Sequence, residues 1–187
     1  MQFIYKLILL IPRFFESIQV RYDLVYLKSL KYAQIHSSFK IGKNNYWDIS
    51  KSARIEIAEN VMINESNYIT VKKNAKLKIG KNTYITRATI SCIDEIEIGE
   101  NCILGEGLKI FDHNHQYSKN PFSVSKTKFN TAKVKMGNHV WTGANCIILK
   151  GVTIGNNVIL GAGCVVHKDV PANSVLVNKQ EQIENQI

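Results

Sequence analysis

The stretch "IFDHNHQYSK", residues 110–119, sets Asp112, His113 and His115 almost side by side. Imidazole is the side chain whose ordinary titration lies near neutral pH. A histidine held in one tautomer can take a proton from an attacking hydroxyl, a contribution typically worth ~10²–10⁴ in rate. Asp112 is a candidate to orient an imidazole, and it reads equally well as a turn aspartate bonded to its own backbone. The plain alternative for the cluster is a polar loop of solvated side chains. A metal site is not expected. Cys92, Cys102, Cys146 and Cys164 contain no CxxC pair, and His139 and His167 stand apart in turn positions.

What must position these residues is a repeat. From Met136 the chain divides into "MGNHVW", "TGANCI", "ILKGVT", "IGNNVI", "LGAGCV" and "VHKDVP". The first position is aliphatic except at Thr142, the second is Gly in four blocks, and the fifth is always Val or Cys. A helix needs apolar residues every three or four positions and an amphipathic strand needs strict alternation. A six-residue period fits neither. It fits an all-β solenoid, a parallel β-helix in which each hexad makes one short strand and one turn. Three hexads close one coil, coils stack about 4.8 Å apart, and first and fifth positions point inward as ladders. Cys146 and Cys164 then stack in one column as small inward filler. Trp141, next to inward Val140, points outward.

The same beat appears less regularly upstream, at Ile41, Ile79, Ile85, Ile98, Leu104 and Ile110. It is lost between 116 and 132, which reads as one protruding loop, and the histidines sit where that loop departs. Residues 13–31 carry helical spacing instead, with Phe14, Ile18, Tyr22 and Val25 on one stripe widened by Leu24, Leu27 and Leu30. This N-terminal helical segment is expected to cap the first coil, or else to lie on a membrane surface beside Lys6, Arg13, Lys28 and Lys31. The predicted organisation is a helical segment over 1–33, a solenoid over 34–176 with its loop at about 116–132, and a tail over 177–187.

With 187 residues the chain has room for one domain, and its net charge of +9 asks for an anionic partner. Lys72, Lys73, Lys76, Lys78 and Lys81 are scattered, with no nucleic-acid motif among them, so a nucleic-acid partner is not expected. "MQFIYKLILLIPRFF" is broken by Lys6 and Pro12, has no small-residue cleavage site, and is too short to span a bilayer. The cysteine pattern points to a reducing cytoplasmic setting, at the inner face of the membrane if the helix binds there.

The hexads from 136 to 171 together with "DHNH" resemble the left-handed β-helix, hexapeptide-repeat acyltransferases, over roughly residues 35–176. Within that family the run "GNHVWTGANCIILKGVTIGNNVILGAGCVVHKDVP" is similar to the C-terminal coils of sugar O-acetyltransferases, including those that decorate bacterial capsule, exopolysaccharide and O-antigen. The resemblance implies a left-handed coil, a homotrimer, acetyl-CoA as acyl donor bound between neighbouring solenoids, and one histidine as general base. It places the base at His115 first and His113 second. It assigns Trp141 to the acceptor or cofactor site, with Tyr117 beside the histidines. It assigns Gly143, Ala144, Gly161, Ala162 and Lys168 to the cofactor. Family members usually continue after the last coil with a Gly-Pro pair and a basic tail, where this chain reads "VLVNKQEQIENQI". No Ser-His-Asp arrangement is evident, so acetyl passes directly to a saccharide hydroxyl. The competing readings are N-acetylation of an amino sugar nucleotide or antibiotic-like acceptor, and a non-catalytic trimeric scaffold.

Overall fold

A computed structural model of the chain describes residues 2–179, and side chains from residue 15 onward. After one helix, α1 (Gln2–Ser29), the backbone winds through short strands that stack into three parallel sheets. The first sheet runs from Ala33–Ile35 to Thr153–Ile154, the second from Lys40–Ile41 to Val175–Leu176, and the third from Tyr46–Ile49 to Val165–Val166. This is a left-handed parallel β-helix of about six turns.

The ladder positions behave as the hexads require. Met136, Thr142, Ile148, Ile154, Leu160 and Val166 line the core with Val140, Cys146, Val152, Val158, Cys164 and Val170, and none is more than 6% exposed. Burying each aliphatic member contributes roughly 1.5–3 kcal/mol. Thr142, the one polar ladder member, is satisfied because its Oγ1 accepts the Gly105 N–H at 2.9 Å. All four cysteines are buried and free, and burial pushes the Cys92, Cys102 and Cys146 thiols up. They are filler rather than nucleophiles.

Register explains the weaker upstream beat. Ile41 pairs with Ile63 and Ile63 with Ile85, a repeat of 22 residues rather than 18, because strands such as Arg54–Ile57 and Tyr68–Val71 are four residues long. Coil corners take left-handed backbone at Asn60, Asn82, Asn101 and Asn157, and asparagine tolerates that region. His139 occupies one such corner and is exposed, as is His167.

Two expectations need revision. Helix α1 covers the open end of the first coil, with Leu27 fully buried and Leu24 and Leu30 against the core as expected, joined by Val20 and Tyr26. Ile18, Tyr22 and Val25, read from spacing as the packing stripe, point outward. Both helix faces are apolar, so periodicity alone could not choose between them. The net charge asks for an anionic partner, yet four of the five scattered lysines already have one within the chain. Lys72 pairs with Asp48, Lys76 with Glu56, Lys78 with Glu97 and Lys81 with Glu100, each a contact between neighbouring coils. Among the described residues no helix is long and apolar enough to cross a membrane. Of the predicted tail, residues 180–187 lie outside the described residues.

Candidate active site

The strand Lys109–Phe111 ends the fourth coil on the third sheet, and the chain does not turn directly into the first sheet. It leaves as an antiparallel ribbon, His113–Lys119 against Phe122–Thr131, and returns at Val134–Met136. What the sequence offered only as a loop is therefore a pair of strands, of which His113 and His115 are the root. The return is in register. Ile98 pairs with Ile79 below and with Met136 above.

Asp112 sits at the departure, fully buried. Its carboxylate accepts the N–H of Ile93 at 3.0 Å and that of Asp94 at 2.7 Å, both at the corner of the coil beneath. Where the ribbon leaves, the Asp112 side chain supplies the acceptor for both donors. Asp112 Oδ1 also lies 2.9 Å from Nδ1 of His113. A carboxylate only accepts, so Nδ1 carries the hydrogen, and in the neutral imidazole the lone pair is then at Nε2. The backbone bonds of the Asp112 side chain thus go to the coil beneath rather than to its own turn, and the same carboxylate meets the imidazole.

His113 is largely covered, its side chain 13% exposed. Phe129 meets its ring edge-on at 5.2 Å and Phe111 at 6.2 Å. His115 is more open. Its Nδ1 lies 2.8 Å from the Ser125 carbonyl oxygen, which fixes the same tautomer, and its ring rests against Phe129 at 4.6 Å. Among the described residues both imidazoles are anchored at Nδ1 and leave Nε2 without a partner, but only His113 has a buried carboxylate behind it. Phe129 and Ser125 were not foreseen. They lie where the six-residue beat is silent, and nothing in their spacing marked them.

The other predicted site residues fall into separate groups. Tyr117 is exposed further along the ribbon, opposite Val124. Trp141 is 52% exposed on the second sheet, in an outward column with Ile103, Ile159 and Val175. Gly143, Ala144, Gly161 and Ala162 follow at the corner between the second and third sheets. There Ala144 and Ala162 are exposed, and the Gly163 N–H reaches the Ala144 carbonyl at 2.8 Å. A Cβ on Gly143 would lie 2.6 Å from the Ala162 nitrogen, so close coil stacking already demands that glycine. Lys168 is exposed on the same corner as Asp112, two coils on by register, about 10 Å at the strand spacing.

The corner between third and first sheets lies across the triangular section from the second sheet. One chain therefore does not bring Trp141 to the histidines. Among the described residues no three His, Cys, Asp or Glu side chains converge as a metal site would require.

Residues 133–168 match the family model "Bacterial transferase hexapeptide (six repeats)". Among solved structures, the chain is similar to AntD, an N-acyltransferase from Bacillus cereus in complex with dTDP and 3-hydroxybutyryl-CoA. That match has a TM-score of 0.59 and 21% identity, covering 79% of this chain and 76% of that one. A hexapeptide-repeat acetyltransferase from Vibrio cholerae complexed with acetyl coenzyme A matches with a TM-score of 0.52 and 18% identity, over 83% and 70% of the two chains. A maltose O-acetyltransferase from Clostridium difficile shares 26% identity, with a TM-score of 0.49, over 81% and 67%. The first two matches establish the solenoid fold.

Proposed function

We propose that this hexapeptide-repeat protein is an acetyl-CoA-dependent O-acetyltransferase acting on a hydroxyl of a bacterial surface saccharide or its precursor. The observation that carries the reading is the Asp112–His113 pair at the ribbon root, a buried carboxylate behind an imidazole whose Nε2 is free. Asp112 holds Nδ1–H and offsets the positive charge that His113 gains when it takes the acceptor proton at Nε2. His113 is thus the base, ahead of His115. His115 and Tyr117 then contact the acceptor. The edge-on rings of Phe111 and Phe129 keep the His113 imidazole from rotating and exclude water from one side of it.

Acetyl-CoA, when bound, supplies the acyl group as an activated thioester. The strip of Ala144 and Ala162 fits the slender arm of such a donor, because small exposed side chains leave backbone groups within reach. Gly143 and Gly161 flank that strip, and Lys168 is placed to meet a phosphate as a point charge.

The site is completed by a homotrimer. Ile103, Trp141, Ile159 and Val175 form an exposed apolar column along the second sheet, and such a continuous patch marks a protein contact. A neighbouring solenoid packed there brings its ribbon root to this chain's Trp141. The N-acyltransferase likeness favours a second reading, transfer to an amine, which needs the same base. The four free cysteines and the donor favour a cytoplasmic setting. The outward Ile18, Tyr22 and Val25, beside Arg21 and Lys28, support contact of α1 with the inner membrane face.

Incubation with acetyl-CoA and a panel of saccharides, followed by free thiol and product mass, tests the proposal. A base-labile acetyl marks an ester and a stable one an amide. Absence of saccharide-dependent thiol release across the panel would favour the scaffold.

A further inference from the structure

The ribbon is irregular at one place. Between the pairs His115–Phe129 and Tyr117–Val124, Gln116 alone faces the four residues Ser125–Lys128. Bulges of this kind re-aim side chains beside functional sites. This one is built around Ser125. Its Oγ accepts the N–H of Lys128 at 2.9 Å and of Thr127 at 3.3 Å, and its carbonyl accepts from His115. The turn that carries Lys126 and Lys128 is therefore tied through Ser125 to the His115 imidazole. Gln116, Ser118, Ser123 and Lys128 line a shallow recess on the same stretch.

The charge of this unit is uncompensated. Residues 113–131 contain Lys119, Lys126 and Lys128 and no Asp or Glu. All three lysines are exposed, and among the described residues none has a carboxylate within ion-pair distance. On the first sheet, by contrast, Lys76, Lys78, Lys133 and Lys135 each meet a glutamate of an adjoining coil. Two ammonium groups two residues apart on a pinned turn repel one another, and an anion brought between them relieves that repulsion.

We propose that the Ser125–Lys128 bulge is a recognition site for an anionic acceptor, taking a carboxylate or phosphate carried on the saccharide against Lys126 and Lys128. This rests on the acetyl-transfer reading and deepens it. His115, which contacts the acceptor in that reading, shares Ser125 with the lysine-bearing turn, so these charges select the acceptor rather than the donor.

Calorimetry on the full chain without donor tests this, with oligogalacturonate as the carboxylate probe, glucose 1-phosphate as the phosphate probe and maltoheptaose as the neutral one. At least one charged probe binds more tightly than maltoheptaose at low salt, and its affinity falls as salt is added. The double substitution Lys126→Gln with Lys128→Gln weakens that binding on the order of tenfold, leaves maltoheptaose unchanged and leaves coenzyme A binding intact. The arm that responds says which anion is read. Equal affinity for all three probes, or a double variant that keeps full affinity for both charged ones, overturns the proposal. So does a variant that loses coenzyme A instead, since the lysines would then serve the donor. These measurements need no turnover. Lysine-dependent binding of a charged probe by a protein that acetylates nothing would sink the enzymatic reading alone.

Discussion

Nδ1 of His113 lies 2.9 Å from a carboxylate oxygen of Asp112, and that same carboxylate holds the backbone N–H groups of Ile93 and Asp94. Orientation of the imidazole and closure of the coil beneath it depend on one side chain. Asp112→Ala should therefore lower both stability and turnover. Each backbone donor left without a partner costs about 1–3 kcal/mol, a loss readable as a shifted denaturant midpoint. Asp112→Asn retains an acceptor for the backbone and should recover part of the stability while turnover stays low. Full activity in the Asn variant would remove Asp112 from the chemistry.

His113→Ala should leave assembly and coenzyme A binding unchanged while turnover falls by roughly 10²–10⁴. His115→Ala should raise the acceptor KM more than it lowers kcat, because its anchor is a neutral carbonyl rather than a buried acid. The two single variants, compared at saturating acceptor, decide the assignment. The reverse ranking moves the base to His115.

Sedimentation should show a three-chain assembly at micromolar concentration. Trp141→Glu with Ile159→Glu places two charges in the outward apolar column and should shift the sample towards monomer while preserving the β-sheet circular dichroism spectrum. A stable trimer with normal turnover would exclude this face from the subunit contact.

Glu95 and Lys133 make a pH prediction with two limbs. The hydrogen bond from Lys133 lowers the Glu95 carboxyl below its usual range, and the same contact raises the Lys133 ammonium. For Glu95 the added stability is complete above the unfolded carboxyl value, about 4.3, and is lost as pH falls through the lower folded value. For Lys133 it is complete below the unfolded value, about 10.4, and fades as pH rises through the higher folded one. Glu95→Gln should thus reduce the stability difference between neutral and acid pH, measured by urea titration at each. Identical profiles for wild type and variant would show that the pair contributes nothing.

The C-terminal coils were legible because six consecutive hexads repeat without a break, and each ladder member is where the count puts it. Upstream, the same stacking is spelled in 22-residue steps, so Ile41, Ile63 and Ile85 look unrelated at a spacing of 18. The Asp112 and His113 side chains were legible as types and their pairing as one of two readings, but the corner that fixes Asp112 was not. That corner is at Ile93–Asp94, nineteen and eighteen residues earlier. The ribbon was hidden because its strands have no buried face to impose alternation, and only His113, Gln116, Ser125 and Phe129 within it are even partly covered. The lysines of the first sheet misled for a related reason. Their glutamate partners lie one coil away, which in sequence looks like scatter.

The ribbon's attachment has an evolutionary consequence. Ala132 N–H donates to the Asp112 carbonyl at 2.8 Å, and Gly151 N–H donates to Ala132 at 3.0 Å, so the two ends of the excursion are clasped within the stack. The coil above continues as though nothing had been inserted, with Ile110 paired to Ile148. Beyond His113 and the Phe129 ring that holds it, the segment between the clasped ends is placed to change in length and charge without moving a rung. Selection can then retune what is recognised while the Asp112 socket stays fixed, and transplanting residues 114–130 between solenoids of this type should carry acceptor preference with them.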